Sequence, residues 1–401
     1  MFRFPSCSPR HLPMLASLCL AVGVLVACGG GGSAGSTSPT ASSFAAGPIT
    51  GFGSVIVNGV RFDDSSAQVD DDDAVAHTRG DLKLGMMAEV RGGEIASDSQ
   101  GSHGEARAIT FRSEIVGPAG TVDTVARTLI VLGQTVDVTA TTVFDDRLPS
   151  GLAGIKPGDI VEVFGTLDAT TGHYSATRIE PKANAPLFKL RGVVANLDTT
   201  ARTFRIGSEM ISYGGLAADQ VPSALADKLL VRVKLQPTQV AGAWIAVKLQ
   251  SGVRSVEDHD EAEIKGRITA FTSPTRFSVD GIAVDATNAA FPQGTAAVVL
   301  GARVEVEGSA NAGVVVATRV SVETEDEARH GRFELHGAIA SIDASAKTFA
   351  LRGLTVSFGD PGVVFKDGAA SDLAAGRQVE VKGVLSSDGT MVVAATIHFE
   401  K

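Results

Sequence analysis

The 401-residue chain is 44% hydrophobic and 20% charged, with 45 glycines, one Trp, two Tyr and a formal net charge of −10. Abundant glycine with few aromatics excludes a helix-bundle design and favours turn-rich β structure, because glycine punctuates turns and weakens helix interiors. The acidic balance excludes the basic surface of a dedicated nucleic-acid binder, and composition alone names no activity.

The N-terminal segment reads as an address. Arg3, Arg10 and His11 precede an apolar run over residues 12–27. The run is too short for a stable bilayer-crossing helix and ends in small residues, as a secretory signal does. Leu25-Val26-Ala27-Cys28, followed by Gly29–Gly32, resembles the lipobox of bacterial lipoproteins. That resemblance implies a signal peptide over 1–27 and acylation of Cys28, with each buried CH₂ adding about 0.8 kcal/mol of anchoring. Residues 28–46 then form a lipidated Gly/Ser-rich tether. Cys7 and Cys19 leave with the signal, so the mature chain has no internal disulfide. Losing Arg3 and Arg10 leaves 33 basic against 45 acidic residues, a net −12. Gly29 after the cysteine, in place of an Asp retention signal, makes the outer membrane the expected location, periplasmic or surface side left open. Glycine-rich false motifs in the tether neither follow a strand nor open a helix, and carry no chemistry.

The body is an internal repeat. A glycine opens each unit, at Gly47, Gly117, Gly192, Gly266 and Gly337. In three units a hairpin signal follows: Asp123-Thr124-Val125-Ala126-Arg127-Thr128, Asp198-Thr199-Thr200-Ala201-Arg202-Thr203 and Asp343-Ala344-Ser345-Ala346-Lys347-Thr348. An alternating strand ending in glycine recurs as Ala88-Glu89-Val90-Arg91-Gly92, Val161-Glu162-Val163-Phe164-Gly165, Val304-Glu305-Val306-Glu307-Gly308 and Val379-Glu380-Val381-Lys382-Gly383. The third unit has a degenerate copy, Leu230-Val231-Arg232-Val233-Lys234, without the glycines. An Ala-x-x-Ile/Leu/Val strand closes each unit, at Ala106/Ile109, Ala176/Ile179, Ala246/Leu249, Ala317/Val320 and Ala394/Ile397. Period-two alternation with short turns predicts an all-β chain of five tandem small OB-like Greek-key β-barrels. The expected boundaries are 47–114, 115–186, 187–252, a charged joint over 253–262, 263–327 and 328–401. A 70-residue barrel buries only about 60% of its unfolded surface, so neighbours should add stability. Short linkers predict a semi-rigid string of barrels, with Val256–Glu261 as its hinge and a comparable charged run over 323–327.

The tandem units, the opening segment Gly47–Val60 and the lipobox together resemble bacterial lipoproteins of the domain-of-unknown-function family 5666. The resemblance implies repeated β domains and a cell-envelope location, and assigns no activity and no functional residues.

No unit offers a clear chemical centre. Asp70–Asp73 with His77 is a dense acidic run, but Val75 stands where an EF-type loop needs glycine. His259, His330 and His336 lie near acidic joints without metal-ligand spacing, and Met86, Met87, Met210 and Met391 share no repeat position. No metal, cofactor or catalytic residue is expected, so the chain reads as a non-enzyme. OB barrels often bind single-stranded nucleic acid, but charge, location and aromatic poverty oppose that partner here. The third unit departs from its siblings: it is net +4 and holds the only Trp, Trp244, with Tyr213, Lys228 and Lys234. These four residues are the candidate ligand site, suited to an anionic oligosaccharide or to an acidic neighbouring unit. The expected role is a non-catalytic, membrane-anchored envelope scaffold or adhesion-type spacer, with envelope polysaccharide or another envelope protein as partner. A ligand-binding module using the third unit is the alternative.

Overall fold

In a computed structural model, residues 41–98, 101–323 and 333–400 are described. The expected signal peptide, Cys28, the expected tether to residue 40, His330 and residues 324–327 of the second charged run lie outside them. The described structure is all-β, with a few 3-10 turns and no α-helix among the described residues.

The second unit shows the plan. Its strands are Ile115–Asp123, Thr128–Val131, Gln134–Phe144, Ile160–Leu167 and Tyr174–Pro181. The first pairs antiparallel with the second, and the second with the third. The third runs parallel to the fifth, from Val136 opposite Tyr174 to Phe144 opposite Ile179. The fifth pairs with the fourth and the fourth returns to the first. The order 1-2-3-5-4-1 closes an OB-type Greek-key barrel with no free edge. The same circuit closes over 43–112, 188–251, 259–322 and 333–399.

The repeat glycines now have causes. The opening glycine stands inside the first strand rather than at its start, since Ser43, Phe188, His259 and Phe333 already begin strands. At Gly47, Gly117, Gly266 and Gly337 the strand crosses the turn joining the second and third strands, against Asn58, Leu132, Asp280 and Arg352. Those four residues have φ between 46° and 54°, and each is followed by a positive-φ glycine. Such a two-residue turn matches the twist of the hairpin, and a Cβ on the crossing strand would press on it. Gly92, Gly165, Gly308 and Gly383 sit at register shifts between fourth and fifth strands, where a side chain would strike the opposite backbone. Leu235 occupies the corresponding shift in the third barrel.

The barrels are not strung in a line. Ser43–Ala46 pairs antiparallel with the first barrel's fourth strand and parallel with Glu261–Ile264 of the fourth barrel. Further along the same strand, Gly51 and Phe52 pair with Glu334 and Leu335 of the fifth barrel. Phe44 and Ala46 enter the fourth barrel's core while Ala45 enters the first barrel's, as the alternation of a strand buried on both faces requires. The second and third barrels share one apolar cluster, with Lys189 and Leu190 paired to Val116 and Ile115. The described residues thus form one compact unit. The expected hinge is built into it: Asp260 accepts from the Ser42 amide at 2.9 Å, and His259–Ser273 is a continuous strand. Strand pairing across barrels, invisible to local pattern, replaces the semi-rigid string.

Candidate functional site

The most concentrated chemistry lies where the barrels meet. Arg112 ends the first barrel, Glu114 follows in the connection, Arg191 lies in the third barrel's first strand, and Asp280 sits at the fourth barrel's hairpin turn. All four are buried, Glu114 completely. Arg191 Nη1 lies 3.0 Å from Glu114 Oε2 and 3.2 Å from Asp280 Oδ1, and its Nη2 donates to the Asp280 carbonyl at 2.8 Å. Arg112 hydrogen-bonds the Asp280 carboxylate and lies 3.3 Å from Glu89. Arg254, from the joint between third and fourth barrels, hydrogen-bonds Glu89 and donates to the Asp280 carbonyl at 2.8 Å. Three guanidinium groups therefore face three carboxylates. Burial pushes the Asp280 carboxyl up, but Arg112, Arg191 and Arg254 outweigh it and hold it at about 2. Burial and the neighbouring Arg112 lower the Arg254 guanidinium to about 10, against the pull of Glu89 and Asp280. Every acid in the cluster has a cation beside it, and the cluster joins the first, third and fourth barrels.

A second charged seam explains the basic third unit. Asp72 lies 2.8 Å from Lys189 and 3.1 Å from Arg232, whose Nη1 also donates to the Asp72 carbonyl at 2.7 Å. Asp73 lies 2.7 Å from Lys234 and hydrogen-bonds Arg232. Burial raises the Asp73 carboxyl, yet Lys234, Lys189 and Arg232 together keep it below the usual range. The acidic run of the first barrel is the partner of the third barrel's cations.

The four sequence candidates stand in four different surroundings. Lys234 is ion-paired as above. Trp244 is 8% exposed, meets Phe188 edge-on at 5.6 Å, and donates from Nε1 to Glu209 at 2.7 Å. Tyr213 is 4% exposed, packs on Phe204, and lies beneath the Arg202 guanidinium at 5.2 Å. Lys228 takes φ 72° at the turn where the other barrels have Gly85, Gly158, Gly301 and Gly376 with φ 82–93°. An exposed stacking platform for an oligosaccharide is therefore not assembled from these residues; the acidic neighbouring unit meets the charge instead.

Two groups have metal-like geometry. Asp71, Asp72 and Asp73 place ligand oxygens within 4.8 Å of one another, as do Glu334, His336 and Glu380 with their oxygens and ring nitrogen. Lys189, Arg232 and Lys234 pair with Asp72 and Asp73 of the first group, whose Asp71 lies 3.5 Å from His77, and Arg61 and Lys382 pair with the acids of the second. These donor sets fit the chain's own cations, and no metal is assigned. His259 lies over Phe44 at 5.8 Å, and burial lowers its proton affinity below the ordinary imidazole value.

A cavity of about 240 Å³ opens between the first and second barrels. Asp71, His77 and Asp81 line one wall, with Arg147, Glu162 and Lys182 on the other. Lys182 lies 2.6 Å from Glu162 and Arg147 2.7 Å from Asp145, so its charges too are largely paired in place. The signal sequence reasoning lacked was the pairing itself: Glu114 and Arg191 carry no motif, and Arg112 and Asp280 are 168 positions apart.

Residues 119–180, 265–321 and 336–398 match the family model of DUF5666, a domain of unknown function. These segments fall on the second, fourth and fifth barrels. The opening segment Gly47–Val60 and the divergent third barrel lie outside the matched residues. No curated protein matches the chain.

Proposed function

We propose that this chain, which carries tandem DUF5666 domains, is a non-catalytic lipid-anchored protein of the cell envelope that acts as a rigid multi-barrel scaffold. The observation that carries this reading is the fused body. First strands pair across barrels, and a buried three-by-three ion cluster ties the first, third and fourth barrels together. A body so joined presents fixed surfaces rather than an extensible spacer, and its charged seams are filled by its own side chains. Acylation at Cys28 would hold that body at the membrane, on the outer-membrane side given Gly29. Partners are then other envelope proteins or polysaccharide bound by the outer faces of the barrels.

The cavity between the first and second barrels favours one second reading, a small polar ligand bound there. The two readings separate in intact cells and in solution. Wild type and Cys28→Ser are fractionated and cross-linked in parallel. The scaffold reading expects wild type in the membrane fraction with cross-linked envelope partners, and the serine variant in the soluble fraction. Unchanged membrane association of the variant would sink the anchor. A melting temperature that climbs with a small ligand as RT ln(1 + [L]/Kd) would favour the binding module.

A further inference from the structure

The contact between the second and fifth barrels differs from the charged seams above, because two of its charges meet no opposite charge. At one end the barrels touch through backbone. Phe144 donates its amide to the Gly389 carbonyl at 3.3 Å, and Arg127 Nη1 donates to the Ser387 carbonyl at 2.6 Å. Beside that hairpin lies a cavity of about 320 Å³, lined by Phe144 and Leu148 of the second barrel and by Leu354, Thr355, Thr390 and Met391 of the fifth. A smaller cavity of about 60 Å³ adjoins it. Asp145, Asp146, Gly353 and Leu354 line both, and Lys83 of the first barrel and Arg352 of the fifth line the smaller one. An apolar wall with a few charged groups, near the lower end of about 300–1,000 Å³, is the usual make-up of a small-molecule site.

Local structure sets which of these charges are free. Asp145 and Asp146 follow the strand Gln134–Phe144 in a turn closed by the Leu148 amide on the Asp145 carbonyl at 2.7 Å. Asp145 is committed to its neighbours, with Arg147 Nε at 2.7 Å and Arg178 Nη2 at 2.6 Å from its carboxylate. Asp146 opens to solvent and has neither a hydrogen bond nor an ion pair among the described residues. Partial burial in the groove and the nearby Asp145 charge raise its carboxyl above the ordinary range, against Arg178, Lys83 and Arg147. On the fifth barrel's side, Arg352 stands at a left-handed turn position with φ 53°. Its Nε donates to the His336 carbonyl at 2.9 Å, which fixes the guanidinium, and it pairs with no acid among the described residues. Lys83 donates to the Gly80 carbonyl at 2.6 Å and has no ion pair among them either.

An amine alone would answer Asp146 and leave Arg352 and Lys83 unmet, and a carboxylate alone would leave Asp146. We propose that this groove binds a small zwitterion, an amino acid or dipeptide with an apolar side chain, whose ammonium group pairs with Asp146 and whose carboxylate is taken by Arg352 and Lys83. A guanidinium suits that role, since two of its N–H groups can hold one carboxylate in parallel. The apolar side chain lies against Phe144, Leu148, Leu354 and Met391, and the surface it removes from water adds to the binding. The site is separate from the cavity between the first and second barrels, so either can be filled without the other.

The test uses the full chain with isotope-labelled methionine methyls, followed by NMR while L-leucine or leucyl-leucine is added in separate arms. The Met391 methyl should shift and saturate with at least one of them, which also tells amino acid from dipeptide. Met210 in the third barrel and Met86, which lines the cavity between the first and second barrels, should not move. Isoamylamine lacks the carboxylate and isocaproate lacks the ammonium group, so each should bind about tenfold or more weakly than the better zwitterion. Asp146→Asn should weaken the zwitterion and isoamylamine about tenfold and leave isocaproate unchanged. Arg352→Gln should weaken the zwitterion and isocaproate and spare isoamylamine. A Met391 methyl unmoved by both zwitterions, a shift at Met86 in its place, a single-charge analogue that binds as tightly, or variants that leave the affinities unchanged would each overturn the site. Both variants change exposed side chains, and should either not fold, the wild-type ligand series decides alone.

Discussion

Asp280→Asn removes one charge from the centre of the ion cluster while keeping the side chain's shape. Asp280 is 2% exposed, bonded to Arg112 and Arg191 through its carboxylate and to Arg191 and Arg254 through its carbonyl. The variant leaves three buried guanidinium groups with two carboxylates. Breaking a buried pair by removing one partner costs about 3–5 kcal/mol, because the remaining charge stays desolvated. A separate route gives a comparable scale: a carboxyl held at about 2 rather than 3.8 is worth about 2 kcal/mol at neutral pH. That stability is present above 3.8 and is lost as pH falls through about 2, since the folded pKa is depressed. Urea unfolding followed by Trp244 fluorescence reads the effect in the third barrel, where Arg191 resides. The midpoint should fall by an amount equivalent to about 3–5 kcal/mol, and the loss of stability between about pH 4 and about pH 2 should shrink in the variant. A cost below about 1 kcal/mol would refute the reasoning, since it would mean that water replaces the missing acid at the cluster.

Other substitutions probe other levels of the structure. Lys228→Gly should stabilise the third barrel by about 0.5–1 kcal/mol by relieving a left-handed non-glycine residue, and a loss of stability would show that the side chain has another role. Gly165→Ala should destabilise by about 1–3 kcal/mol, since the added methyl meets the Ser175 carbonyl across the bulge; an unchanged melting temperature would mean that the bulge shifts freely. Asp73→Asn should weaken the contact between first and third barrels by about 1–3 kcal/mol, leaving Lys234 without its carboxylate and Arg232 with Asp72 alone. That loss should appear as faster amide exchange over residues 68–77, and exchange identical to wild type would count against the seam.

Much of each barrel was legible in the residues. The Asp-x-x-Ala-Arg/Lys-Thr turns lie where first and second strands join, with Asp123, Asp198 and Asp343 accepting from backbone amides two and three positions on. Alternation in Val304-Glu305-Val306-Glu307 placed both valines in the core. Such features are short-range, and period-two burial with turn chemistry sufficed to read them. The opening glycine marks each unit in the sequence without revealing its cause, because the turn it crosses is supplied by residues 11–15 positions later. The basic third unit and the acidic run over 70–73 are both visible as charge, and an acidic neighbouring unit is one of the two partners that charge suits. Trp244 and Tyr213 carried no mark of burial, because an aromatic looks the same in sequence whether it stacks on a ligand or on Phe188 and Phe204.

Sequence by itself determined the repeat, the all-β barrel and the expectation of an anchored N-terminus, since each rests on local pattern or on a short motif. Tertiary structure decided how the barrels join. Ser43–Phe52 pairs with strands that begin at His259 and Phe333, and the ion cluster draws on positions from Glu89 to Asp280. Such contacts leave no periodicity behind, because a charge specifies only that some partner of opposite sign is needed. Which partner it finds depends on which surfaces the folded barrels bring together. The net charge of −10 therefore hides seams where acid and base have already met.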